Sequence, residues 1–178
     1  MAETFEEMLT GGHPNSLGRT IEVVDLVLAN PERLAELFAC YRSADAVVRL
    51  RTSSALKRVE GARQDLLVPY LDRLIDEIGP LDQASAQWTL AQLFARLSAD
   101  MDAQQRAGAL EILQRNLATH DDWIVLNTTI ETLSGWAAGD TALMNWLLPH
   151  LRRLSSDRRR SVSARARKAL QRLAPAAS

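Results

Sequence analysis

Few residues in this chain stand at spacings that perform chemistry. His13, His120 and His150 are far apart and form no H-x-x-x-H or H-E-x-x-H pair, and the single cysteine, Cys40, has no partner for a C-x-x-C motif. A metal site needs several such ligands converging, so none is expected. A GxxxxGK[ST] phosphate loop and a GxSxG nucleophile elbow are also missing from the sequence. The expectation is therefore a chain with no catalytic residue, no cofactor and no metal. His120 beside Asp121 and Asp122 reads as a helix-capping turn. The stretch from Gly11 to Arg19 holds three glycines, Pro14, Asn15 and Ser16, which is loop chemistry. Glycine-rich backbone ahead of a helix can turn N–H groups toward an anion, with His13, Asn15, Ser16 and Arg19 nearby. The expected role of this loop is to wrap and cap the first repeat.

A more informative set of residues is polar and periodic. Arg51, Ser54 and Arg58 follow the i, i+3, i+7 spacing of a helix face, and three later segments offer Thr89, Gln92, Arg96, then Thr128, Glu131, Gly135, then Arg165, Lys168, Arg172. Side by side they would form a groove wall with basic ends and a more neutral middle. Trp88 stands next to the second set, where the other segments carry Leu50, Asn127 and Ala164, so no packing rule of the pattern demands its size. It is either a seam filler or an exposed platform for a protein or a base. Trp136 and Trp146 are expected in the core, and Trp123 across a turn. The candidate partner-binding residues are Arg51, Arg58, Trp88, Gln92, Arg96, Asn127, Glu131, Arg165, Lys168 and Arg172.

The elements that must position these residues announce themselves by an apolar stripe. Val48, Thr52, Ala55, Leu56 and Val59 mark one helix face, and the pattern returns as Ala86 to Leu97, Val125 to Trp136 and Val162 to Leu173, about 38 residues apart. Each such helix, B, follows a helix A. Helix starts are signalled by Asn30-Pro31-Glu32, Asp45, Asp82, Asp102, Asp122 and Asp140, and Gly79-Pro80 and Gly139 are stop signals. Leu67 to Leu74 matches Leu147 to Leu154 with Pro69 and Pro149 at one register, which predicts a shared, bent A helix.

Bent A helices of the L-x-P-x-L-x-R-L type and Asp-initiated B helices with this period resemble HEAT repeats, of the armadillo-like class. The resemblance implies an all-α fold, a right-handed α-α superhelix of about four helix pairs plus an N-terminal helix. The repeats fall at about 31–59, 64–98, 102–138 and 140–173, inside a single repeat domain at 20–174. The segment at 1–19, with a short helical turn through Phe5, Met8 and Leu9, precedes it and a tail at 175–178 follows. Arg49 of the first repeat becomes Gln87, Leu126 and Ser163 in the others, so a stacked Asp and Arg ladder is not expected. In resembling solenoids the B helices line the concave binding surface.

Composition narrows the functional classes. With 47% apolar and 24% charged residues, three glutamates in the first ten and no apolar run near the roughly 20 residues of a membrane span, the chain is expected to be soluble and cytoplasmic, without membrane attachment. One cysteine suits a reducing compartment. The net charge of −1 hides a division: residues 141–178 hold nine Lys and Arg against one acid, Asp157. The leading expectation is a non-enzymatic module or scaffold that holds a protein partner on its B-helix face. A second is nucleic-acid binding through the basic C-terminal repeat, since some HEAT-like solenoids are alkylpurine DNA glycosylases, although no catalytic residue of theirs aligns here. A third is a self-assembling structural protein whose basic repeat docks on the acidic half of a neighbour. The sequence does not fix an oligomeric state.

Overall fold

Helix-starting side chains and apolar stripes act on nearly the whole chain. The computed structural model describes residues 3–13 and 15–174; Pro14 and the tail at 175–178 lie outside the described residues. The described residues contain ten α-helices and no strand: α1 (Phe5–Leu9), α2 (Thr20–Ala29), α3 (Leu34–Ala39), α4 (Ala46–Ala62), α5 (Leu71–Arg73), α6 (Ala84–Arg96), α7 (Ala103–Thr119), α8 (Trp123–Trp136), α9 (Thr141–Leu154) and α10 (Arg160–Leu173). An all-helical protein is what the periodicity predicts. No helix among them is long and apolar enough to cross a membrane.

Asp45, Asp102, Asp122 and Asp140 cap helices as predicted, whereas Asn30 makes no cap bond and leads into a 3₁₀ turn, Pro31–Arg33, ahead of α3, and α6 begins at Ala84, past the predicted Asp82 start. Asp45 accepts from the Val47 N–H at 2.8 Å to open α4, Asp122 accepts from Ile124 and Val125 to open α8, and Asp140 accepts from Leu143 to open α9. Asp102 and Gln105 exchange bonds as a capping box, as do Thr4 and Glu7 at α1. Each bond satisfies an N–H that a helix start leaves without a partner. His120, in the turn before α8, uses Nδ1 to accept from the Asp122 N–H at 3.0 Å.

The chain divides into two units, Met1–Thr89 and Leu90–Ser178, with the division inside α6. In the first, α4 packs with α1, α2 and α3. Its stripe of Val48, Thr52, Ala55, Leu56 and Val59 is fully buried among Phe5, Leu9, Val23, Leu37 and Phe38. Cys40 is buried here, and burial pushes its thiol up to about 12. In the second, α8 packs with α7, α9 and α10, burying Val125, Thr129, Leu133, Val162 and Ala166. Thr132 donates to the Ala91 carbonyl at 2.8 Å and pins the end of α6 to α8.

The expectation of one bent A helix in two copies is overturned. Pro149 does lie inside a continuous helix, α9. Pro69 instead sits in a 3₁₀ turn, Val68–Tyr70, after another at Gln64–Leu66, and the segment becomes α-helical only over α5 before a π turn at Leu74–Ile78. The difference lies in what precedes the proline. Asp140 caps α9 and two turns form before Pro149, whereas the Gln64 start has no side-chain cap and meets Pro69 within five residues. A helix not yet nucleated cannot absorb a missing N–H.

Candidate functional site

Arg51 is the predicted groove residue whose surroundings differ most from expectation. It is 2% exposed. Its guanidinium donates to four backbone carbonyls: Nη1 to Leu9 and Gly11, both at 2.6 Å, Nη2 to His13 at 3.1 Å, and Nε to Ser16 at 3.1 Å. The loop expected to cap the first repeat wraps this side chain. Gly18 has φ +53°, and a Cβ there would lie 2.9 Å from the Arg51 Cζ, so only glycine closes the loop this tightly. Arg51 is thus corrected from an exposed groove residue to a buried clamp. The loop turns carbonyls inward, the polarity that suits a cation.

The other two candidates of the first unit are more open. Arg58 is half-buried and donates to the Ser54 hydroxyl at 2.6 Å on its own helix. Trp88 is half-buried beside Gln87, whose amide is spent on the carbonyls of Leu81 and Gly79.

The remaining seven candidates belong to the second unit, and five of them line one cavity of about 290 Å³. Gln92 and Arg96 come from the end of α6, Asn127 and Glu131 from α8, and Arg165 from α10; Ala95, Thr128 and Thr132 complete the lining. The i, i+3/i+4 spacing on each helix explains their convergence. Arg172 joins through Glu131: one carboxylate oxygen accepts from Arg165 at 2.9 Å and the other from Arg172 at 3.1 Å. These guanidiniums, Arg172 foremost, hold the Glu131 carboxyl below its usual range. Lys168 is exposed on the same helix, α10. One carboxylate between Arg165 and Arg172 leaves this cluster with an excess of positive charge.

The basic block is partly structural. Arg153 donates to the Leu117 carbonyl at 3.1 Å, Arg167 to that of Ser155 at 3.1 Å, and Arg159 to that of Asp121. These are cations set on the ends of helices and turns, where free carbonyls collect. Arg159 also forks onto Asp157, lowering that carboxyl to about 2. Arg152, Arg158 and Arg160 are exposed.

The chain matches no family model, curated protein or solved structure.

The tryptophans divide. Trp136 is buried and carries Arg106 stacked 3.3 Å from its ring centroid, whereas Trp146, expected in the core, is half-buried and stacks on His150 with centroids 4.2 Å apart. Trp123, expected to pack across a turn, is 50% exposed. Among the described residues, no three His, Cys, Asp or Glu side chains are placed to hold one metal ion. Three members of the cavity lining, Ala95, Thr128 and Thr132, are not among the binding candidates, although Thr128 belongs to the polar stripe and Thr132 to the apolar one.

Proposed function

We propose that this chain is a non-enzymatic binding module, an α-solenoid of the HEAT kind, whose α6, α8 and α10 face in the second unit holds an acidic segment of a protein partner. The observation that carries the reading is the convergence of Gln92, Arg96, Asn127, Glu131 and Arg165 on one cavity with a cationic excess. Long arginines at a groove mouth recognise carboxylates well, because the planar guanidinium donates in pairs. Glu131 occupies the position that a partner's carboxylate would take between Arg165 and Arg172. It repels any anion placed against it, so it favours a segment whose acids are spaced to either side of it over a continuous phosphate backbone. The intramolecular bonds of Arg153, Arg159 and Arg167 also remove part of the basic block from the footprint a nucleic acid would need. A partner met in the cytoplasm fits this reading.

The test is fluorescence anisotropy with a short labelled peptide of alternating glutamate and serine, a lysine counterpart and an oligothymidine of similar length. The acidic peptide should bind at low salt, and R165E/R172E should weaken it roughly tenfold or more. Tighter binding of the oligonucleotide, or an affinity indifferent to the double reversal, would overturn the assignment.

A further inference from the structure

The residues that line the α6, α8 and α10 cavity are mostly polar by type, yet its floor is not polar. Burial sorts the lining by depth: Asn127 and Thr132 are buried, Gln92 and Thr128 half-buried, and Ala95, Arg96, Glu131 and Arg165 exposed at the rim. At the bottom, the Asn127 Oδ1 has no hydrogen-bond partner and is sealed from the cavity. Thr132 donates its hydroxyl to the Ala91 carbonyl at 2.8 Å, and Thr128 donates to that of Ile124 at 2.8 Å. A hydroxyl carries one proton, so neither threonine has a donor left. What the two bring to the cavity is the other branch of each Cβ, a methyl group. Ala95 adds a third methyl, and the stem of Gln92 adds methylenes.

Such a floor holds water poorly, because a buried water needs about three hydrogen bonds, and an apolar group that displaces poorly held water gains affinity. A neutral polar side chain would exchange its hydration for methyl contacts, at a cost. A carboxylate at this place would meet Glu131 at the rim, and an ammonium would meet Arg165. A cavity of about 290 Å³ sits at the lower end of small-ligand pockets, which begin at roughly 300 Å³, and so suits one side chain better than a whole cofactor. Beside it, Arg165 and Arg172 each bond Glu131 through Nη1 alone. A guanidinium has five N–H donors, so both keep donors for a second carboxylate. An apolar pocket within a charged rim is the arrangement that anchors a protein segment by one residue.

We propose that the cavity seats one large apolar side chain, leucine in size, carried between the acids of the partner segment. This deepens the binding role proposed above and rests on it: Arg165 and Arg172 hold the acids, and the methyl-lined floor selects the residue between them.

Three labelled peptides of alternating glutamate and serine, differing only in a central Leu, Gln or Ala, test it by anisotropy. The native chain should favour the Leu peptide by roughly tenfold or more, the discrimination that methylene groups give in an apolar pocket. Ala95→Leu, which fills the cavity from its exposed rim, should bring the three peptides to one affinity, with thermal melting confirming the fold. In the native chain, the Leu peptide should also shift the Thr128 and Thr132 methyl resonances in a ¹³C spectrum, and the Ala peptide should leave them in place. Equal affinity of the three peptides for the native chain overturns the pocket and leaves the acidic groove standing. Failure of all three to bind overturns the groove as well. A preference for Gln, a Leu preference that survives Ala95→Leu, or unmoved threonine methyls also overturns the pocket. Light scattering that shows a dimer, dissociated by the Leu peptide, would give the cavity to a second copy of the chain and overturn the partner segment.

Discussion

A guanidinium enclosed by four carbonyls is an uncommon way to keep a charge inside a protein, and at Arg51 it joins α4 to the loop that precedes α2. Hydrogen bonds from a charged donor contribute about 1.5 to 3 kcal/mol each, against the desolvation of the cation. Arg51→Met strands four oxygens at once, so it should lower stability by about 3 kcal/mol or more in urea unfolding. Arg51→Lys should recover little, because an ammonium cannot span carbonyls spread over residues 9 to 16. Sequence reading placed Arg51 on the solvated stripe, since arginine is almost never fully buried unless paired. Its partners are backbone oxygens, which every residue carries, and so they leave no mark in residue type. Three glycines in one short loop were the accessible signal, pointing to a chain folded closely around something. Asn127 is the opposite case. Its place in the candidate set was legible, but its unpaired oxygen depends on a packing detail that no spacing encodes.

At the scale of elements, the helix starts were legible because a cap is a local contract between one side chain and the next two or three N–H groups. Asp122 does this for α8, the helix that carries Asn127 and Glu131. Asp122→Ala should cost about 1 kcal/mol, the usual worth of a cap. Leu133→Ala, on the buried side of the same helix, should cost about 2 to 5 kcal/mol by leaving a cavity. Denaturant midpoints of the two variants would rank them in that order, and a larger effect at Asp122 would mean that α8 is held by its start more than by its packing. The paired prolines show where local reading stops. Leu67 to Leu74 and Leu147 to Leu154 share a pattern, yet helix nucleation depends on the residues upstream, and Asp140 supplies a cap that Arg63 does not.

For the molecule as a whole, the all-helical class and most of the core followed from one apolar stripe in four copies. The division between Thr89 and Leu90 did not, because the apolar period of α6 runs through it without a break. Charge is the property that the whole chain distributes unevenly. A net charge of −1 would ordinarily send a protein through a cation exchanger at neutral pH, but a surface field follows local clusters over about a Debye length of 10 Å at moderate salt. The chain should therefore bind a sulfonate resin at pH 7 and low salt and elute as salt rises. K168E/R172E should elute earlier. Flow-through of the unmodified chain would mean that the basic residues of α10 are neutralised more completely than Glu131 alone explains.

The wrapping of Arg51 also bears on where this protein can be cut. An expression fragment chosen to begin at the first long helix, near Arg19, would retain every helix from α2 onward and lose all four oxygens around the guanidinium. Such a fragment contains the complete repeat pattern and still lacks part of the interior, so an affinity tag or a protease site is better placed ahead of α1 than between α1 and α2.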